Sequence, residues 1–225
     1  KAFTGVEISA EPPSGAMHVL GYCVRHDDPD FMKQLQWVRE GRESRNREML
    51  IKLHDLGVNI SWEEIVSYAG ADIVARPHFA QALMARGYVR DKKEAFDKYL
   101  ARGRPGYADR RRFAPAEALR VIRKAGGVPV LAHPSSLKLA IGELRLLLKK
   151  LCDDGLMGLE VYYSEHGRDW EKELLGLCKE LGLIATGGTD FHGAHSPDIK
   201  IGVGFGSLRI PDDIVDQIEA ARQKK

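Results

Sequence analysis

An aspartate and a histidine two residues apart, Asp190 and His192, follow the apolar run Leu183-Ile184-Ala185-Thr186 and the pair Gly187-Gly188. A carboxylate oxygen and an imidazole nitrogen at that spacing can meet at one point, and the pair suits zinc, manganese or iron. A second apolar run, Val128-Pro129-Val130-Leu131-Ala132, ends in His133-Pro134. A third signal lies near the start, with Glu7 in Gly5-Val6-Glu7-Ile8 and His18 in His18-Val19-Leu20-Gly21-Tyr22. Any one of these side chains is commonly a surface group or a satisfied core group. Glu7, His18, His133, Asp190 and His192 together, all at the ends of apolar runs, point to a metal centre.

Strands are needed to bring such distant residues together. Residues 3–9 and 17–24 read as a hairpin around the turn Pro12-Pro13-Ser14-Gly15. After Pro115, helical and apolar segments alternate: helix 116–125, strand 128–131, helix 141–153, strand 158–163, helix 169–181, strand 183–186, helix 211–223. That rhythm implies a parallel sheet or barrel, whose active site lies at the carboxyl ends of the strands. His133, Glu160, Asp190 and His192 all fall there. Gly187-Gly188 reads as the stop that ends the last strand.

The segment 28–112 has a different character. Pro29 through Leu56 reads as a long helix closed by Gly57, and Ser61-Trp62-Glu63-Glu64 opens a second with a capping box. Arg76-Pro77-His78 starts a third and Asp91 caps a fourth. With almost no strand pattern, 28–112 reads as a helical insertion between barrel segments 1–27 and 113–225.

Composition excludes little. The chain has 225 residues, 44% apolar and 29% charged, with a formal net charge of +2, so no strong polyanion field follows from the total. Arginines do cluster, at Arg39, Arg42, Arg45 and Arg47 and again at Arg102, Arg104, Arg110, Arg111 and Arg112. Such clusters fit a phosphate-bearing substrate or a solvated face. Cys23, Cys152 and Cys178 form no CxxC pair, which points to free thiols in a reducing, cytoplasmic setting. No apolar run approaches the roughly 18 residues of a membrane span, and no obligatory protein partner is evident.

The motifs Gly5-Val6-Glu7-Ile8-Ser9, Met17-His18-Val19-Leu20-Gly21, Leu131-Ala132-His133-Pro134, Gly158-Leu159-Glu160-Val161-Tyr162 and Gly188-Thr189-Asp190-Phe191-His192-Gly193 resemble those of the polymerase-and-histidinol-phosphatase (PHP) family of metal-dependent phosphoesterases. The insertion, with Gly57-Val58, Arg76-Pro77-His78 and Gly103-Arg104-Pro105, looks like the branch of 3′,5′-nucleotide bisphosphate phosphatases and a related 5′-to-3′ exoribonuclease. The resemblance implies an α/β fold, a distorted seven-stranded (β/α) barrel with two or three divalent metals. It matches Glu7 to a carboxylate that bridges two metals, and His18, His133, Asp190 and His192 to metal ligands. Family members open with a His-x-His strand and an Asp-His motif, which have no counterpart before Glu7. We therefore expect the N-terminal strands and their ligands to be missing from this chain.

Phosphoester hydrolysis needs an activated water and neutralised phosphoryl charge, and two metals supply both. Three imidazoles favour manganese, zinc or iron over magnesium. The expected substrate is a phosphorylated nucleotide, resembling a 3′,5′-bisphosphate, or a short RNA with a 5′ end. Glu7, Asp190 and His192 are the expected catalytic groups, and His166 a proton donor to the leaving group or a phosphate contact, the alternative being a plain loop histidine. Arg76 and His78, flanking Pro77 at a helix start, and Arg104 are the expected substrate contacts. Tyr107, Trp37 and Trp62 are candidate stacking residues, and His195 a loop residue near the site. The alternatives are a histidinol-phosphate-type phosphatase and a non-catalytic PHP domain or fragment.

Overall fold

The computed structural model describes residues 2–70, 73–193 and 196–223. The chain divides into two compact units, Lys1–Gln34 with Arg112–Lys225, and Leu35–Arg111.

The first unit is built on a five-stranded mixed sheet in the order β1-β2-β3-β4-β5. Its strands are β1 (Gly5–Ala10), β2 (Met17–Tyr22), β3 (Val128–Leu131), β4 (Gly158–Tyr163) and β5 (Ile184–Gly188). β2 runs antiparallel to both of its neighbours, β1 and β3, whereas β3, β4 and β5 run parallel. Helices α5 (Pro115–Lys124), α6 (Ile141–Asp153), α7 (Arg168–Leu181) and α8 (Ile214–Gln223) accompany the strands. The fold class is therefore α/β, with five strands among the described residues where a seven-stranded barrel was expected. The strand cores are apolar: Val128, Val130, Leu131, Leu159 and Val161 are all buried, as parallel strands covered by helices require. Ile214, Ile218 and Ala221 of α8 pack with Val128 and Val130 and the flanking Leu20, Tyr22 and Ile184.

Several boundaries differ from the sequence reading, two of them for a visible physical reason. β5 runs through Gly187 and Gly188 instead of stopping before them. A Cβ on Gly187 would lie 2.7 Å from Tyr162 Cβ, so this glycine marks a close approach within the sheet, not a turn. Helix α8 starts at Ile214, because Pro211-Asp212-Asp213 forms a turn ahead of it.

The second unit is helical among its described residues. It holds most of α1 (Pro29–Asp55), then α2 (Trp62–Ala69), α3 (Arg76–Ala85) and α4 (Lys92–Ala95), the last continuing as a π-helical turn at Phe96–Leu100. Its core is formed by Met49, Leu53, Ile60, Ile65, Phe79, Leu83 and Leu100. The expected capping box is present: Ser61 Oγ accepts from Glu64 N–H, and Glu64 Oε2 accepts from Ser61 N–H. Among the described residues no helix is long and apolar enough to cross a membrane, and all three cysteines are free thiols.

Candidate metal centre

Sheet register explains the first half of the site. β1 pairs with β2 so that Glu7 faces Leu20 and Ser9 faces His18. Cross-strand partners and residues two apart share a face, so Glu7 and His18 are diagonal neighbours on it. Their side chains meet, with His18 Nδ1 2.8 Å from Glu7 Oε1. His133 stands one residue past Ala132 at the end of β3, where its backbone takes the left-handed conformation (φ 47°). Such a φ is strained for a residue with a Cβ. A 3₁₀ turn, Pro134–Leu137, follows at once, and the sharp bend aims the imidazole back across the strand ends. His133 Nε2 lies 3.2 Å from Glu7 Oε1 and 3.2 Å from His18 Nδ1.

The hydrogen bonds around His133 settle its tautomer. Ser136 Oγ donates to the carbonyl of Ala16 at 2.9 Å. That hydroxyl therefore accepts from the His133 Nδ1–H, 3.3 Å away. In neutral His133 this leaves the Nε2 lone pair directed at a carboxylate oxygen and another ring nitrogen. Lone pairs converging in this way need a proton or a cation between them. With a proton, the result is what the electrostatics show: burial opposes charge on His133, yet the Glu7 hydrogen bond raises its pKa overall. The His133 and His18 rings in turn hold Glu7 far below the usual carboxylate range.

With a cation, the donor set fits. Ligands at 2.0–2.1 Å around a tetrahedral zinc are separated by about 3.3 Å, close to the 2.8, 3.2 and 3.2 Å edges of this triangle. A second group shares the same carboxylate: Glu7, Asp190 and His192 offer ligand atoms within 4.8 Å of one another. Asp190 also has a left-handed backbone (φ 54°). Its Oδ2 accepts from Tyr163 O–H at 3.3 Å, and its Oδ1 lies 3.2 Å from His192 Nδ1. His192 is 57% exposed and His133 only 9% by side chain, so the centre is closed on the His133 side and open on the His192 side. All five residues expected as ligands thus converge, and Glu7 belongs to both groups.

Glu160 lies just beneath. It is 4% exposed, and its Oε2 has no hydrogen-bond partner among the described residues. Burial pushes its carboxyl up to about 7, with Asp190 and Glu7 adding to the rise and His133 opposing it. Gly188 leaves room for this side chain: a Cβ there would lie 2.6 Å from Glu160 Oε1.

His166 is held at both nitrogens. Nδ1 donates to the carbonyl of Val161 at 2.8 Å, and Nε2 is 3.0 Å from Ser135 Oγ. Burial lowers its pKa, with the His133 charge acting the same way. The ring is therefore neutral at pH 7, with Nε2 as the acceptor, an arrangement that takes up a proton more readily than it gives one. Ser135, Ser136 and Tyr163, which tie these rings together, were not singled out from sequence; their positions directly after His133 and at the end of β4 are the available signal.

The three arginine-region residues lie in the helical unit. His78 is buried, and its Nδ1 accepts from Ala75 N–H at 3.0 Å, so that nitrogen caps its own helix rather than facing a ligand. Arg76 carries its guanidinium over two rings, 5.6 Å from the Phe96 centroid and 5.7 Å from that of Tyr107. Arg104 is exposed. Trp37 stacks under Arg111, 5.8 Å from its guanidinium carbon. His195 lies outside the described residues.

No protein-family model matches the chain. It is 31% identical over 193 residues to a 3′,5′-nucleoside bisphosphate phosphatase of Chromobacterium violaceum, covering 84% of this chain and 66% of that protein. It is 30% identical over 188 residues to the 5′-3′ exoribonuclease Rnm of Salmonella typhimurium, covering 84% and 64%. The chain thus spans just under two thirds of the length of these curated relatives. Among solved structures, an amidohydrolase from Chromobacterium violaceum with bound sulfate and no metal superposes with a TM-score of 0.78 at 28% identity. A protein described as a metal-dependent phosphoesterase, from Bifidobacterium adolescentis, gives 0.77 at 25%. Each alignment covers 97% of this chain and 76% of the other.

Proposed function

We propose that this chain carries the metal-binding core of a PHP-type phosphoester hydrolase acting on a phosphorylated nucleotide, with a 3′,5′-bisphosphate as first choice and a 5′ RNA end as second. The observation that carries the proposal is Glu7, one carboxylate common to two groups of donor atoms. The names of the curated relatives, a bisphosphate phosphatase and an exoribonuclease, support the substrate class. In this reading the five strands belong to a distorted (β/α) barrel, and 28–112 is its helical insertion.

Glu7, His18 and His133 would hold one divalent ion, and Glu7, Asp190 and His192 would contribute to a second; manganese, zinc or iron suits the imidazoles. Such ions lower the pKa of a bound water and offset charge on the phosphoryl oxygens. The protein's own groups do the positioning. Ser136 fixes the His133 tautomer, as hydrogen-bonded second partners of ligand histidines do. Tyr163 orients Asp190. His166, neutral and with an acceptor nitrogen, handles the proton exchanged with the leaving group or the water. The Arg76 guanidinium, pre-ordered by two rings, and Arg104 hold a further phosphate.

Phosphate release with manganese tests the proposal, comparing adenosine 3′,5′-bisphosphate, a 5′-phosphorylated RNA and an aryl phosphate. We expect the nucleotide substrates to be preferred and Asp190→Ala to abolish turnover of all three. Normal turnover by Asp190→Ala would remove that residue from the mechanism and the shared-carboxylate centre with it.

A further inference from the structure

A cavity of about 310 Å³ opens at the carboxyl end of β4. Tyr163, Ser164, His166, Arg168, Phe205 and Arg209 contribute to its wall. Two of these also touch the ligand cluster. Tyr163 O–H donates to Asp190 Oδ2, and His166 Nε2 bonds Ser135, two residues past His133. An occupant of the cavity is therefore one side chain away from the ligand carboxylate.

The segment bearing Phe205 is a built structure. Gly204 N–H donates to Lys200 O at 2.9 Å, and Leu208 N–H to Val203 O at 3.2 Å. Gly204 has φ 56°, and a Cβ there would lie 2.6 Å from Ser164 Oγ. Only glycine lets the segment close this tightly on the end of β4. Ser164 is itself anchored, its Oγ donating to Thr189 O at 2.9 Å. The result presents an aromatic ring at the cavity while leaving Phe205 57% exposed, beside exposed Ile201 and Val203.

The two guanidinium groups have donors to spare. The Arg168 guanidinium makes no hydrogen bond or ion pair among the described residues. It occupies the first position of α7, where the helix dipole opposes a cation, so local helix energetics do not account for it. Arg209 uses Nη1 on the carbonyl of Leu208. An open aromatic face flanked by guanidinium donors is the chemistry that receives a nucleotide: the base stacks, and the arginines meet its polar edges and charge. The volume is at the small end of ligand sites, which suits a single nucleoside and not a folded RNA.

We propose that this cavity is a nucleoside subsite, in which the base of a phosphorylated nucleotide stacks on Phe205 while Arg168 and Arg209 hold its polar and anionic remainder. The proposal deepens the hydrolase reading and rests on it for the place of the scissile phosphate.

Titration calorimetry of the manganese-loaded chain with adenosine 5′-monophosphate and with ribose 5-phosphate tests it, because the two ligands differ only in the base. The nucleotide should bind about tenfold more tightly or better. Phe205→Ala should bring the two affinities together, and Phe205→Trp should keep them apart. Arg168→Ala should weaken both. Circular dichroism and metal content confirm that each variant is folded and loaded. Equal affinities in the parent chain, binding of neither ligand, or a gap that survives Phe205→Ala would overturn the subsite. If the gap appears and closes as expected while no phosphoester is hydrolysed, the hydrolase reading falls and the subsite stands.

Discussion

His18 Nδ1 and His133 Nε2 stand 3.2 Å apart although 115 residues separate them in the chain, and both point at Glu7 Oε1. The Ser136 hydroxyl makes that arrangement specific, since it accepts from Nδ1–H of His133 and so turns a lone pair toward the cluster.

Metal should stabilise this fold. A ligand that binds only the native state adds about 2.7 kcal/mol at a concentration 100 times its dissociation constant. Denaturation of chelator-treated chain, before and after adding manganese or zinc, should show a gain of that order. His133→Ala should lose most of it. A parent chain whose midpoint ignores the metal would count against the centre.

The buried Glu160 predicts a pH dependence in the metal-free chain. Its folded pKa is about 7, against 4.5 for the free carboxyl. The folded state therefore binds the proton more tightly, and the stability this contributes is full below pH 4.5 and is lost as pH rises through 7. The span corresponds to roughly 3 kcal/mol. His133, whose pKa the Glu7 hydrogen bond raises against the opposing effect of burial, acts in the same direction. Urea unfolding in chelator at pH 5 and pH 8 should show the fall, and Glu160→Gln should flatten most of it. An unchanged slope in that variant would show that Glu160 is not the group titrating.

Gly15 should tolerate no side chain. Its φ is +58°, and a Cβ would run into the carbonyl oxygen of Ser136. The neighbouring Ala16 N–H donates to that oxygen at 3.0 Å. Left-handed strain plus overpacking should make Gly15→Ala cost about 2–4 kcal/mol. Because Ser136 holds His133, metal affinity should fall as well. A loss under about 1 kcal/mol by urea denaturation would mean that the turn gives way easily.

Arg76 separates packing from charge. Its guanidinium lies over Phe96 and Tyr107 and reaches the Leu100 carbonyl at 3.4 Å. If it holds a substrate phosphate in both ground and transition states, Arg76→Ala should raise KM about tenfold with kcat nearly unchanged. Arg76→Lys should rescue poorly, because an ammonium neither stacks nor forks. Equal kinetics in all three proteins would restrict Arg76 to a structural role.

Sequence alone carried the chemistry. Residue type selects ligand atoms, and apolar runs ending in His133-Pro134 or Gly188-Thr189-Asp190 mark strand ends, because burial periodicity is a local property of the chain. The helices were legible for the same reason; Ser61 and Asp91 cap them through bonds spanning three residues. Gly187 misled, since a glycine demanded by a neighbouring strand looks the same as one demanded by a turn. What tertiary structure decided was non-local. The β1–β2 register set Glu7 beside His18, left-handed bends at His133 and Asp190 brought two more candidate ligands to the same place, and burial left Glu160 protonated near neutrality. It also gave the His78 Nδ1 to its own helix. Such outcomes depend on distances and solvent exclusion between segments far apart in the chain, which no spacing along it encodes.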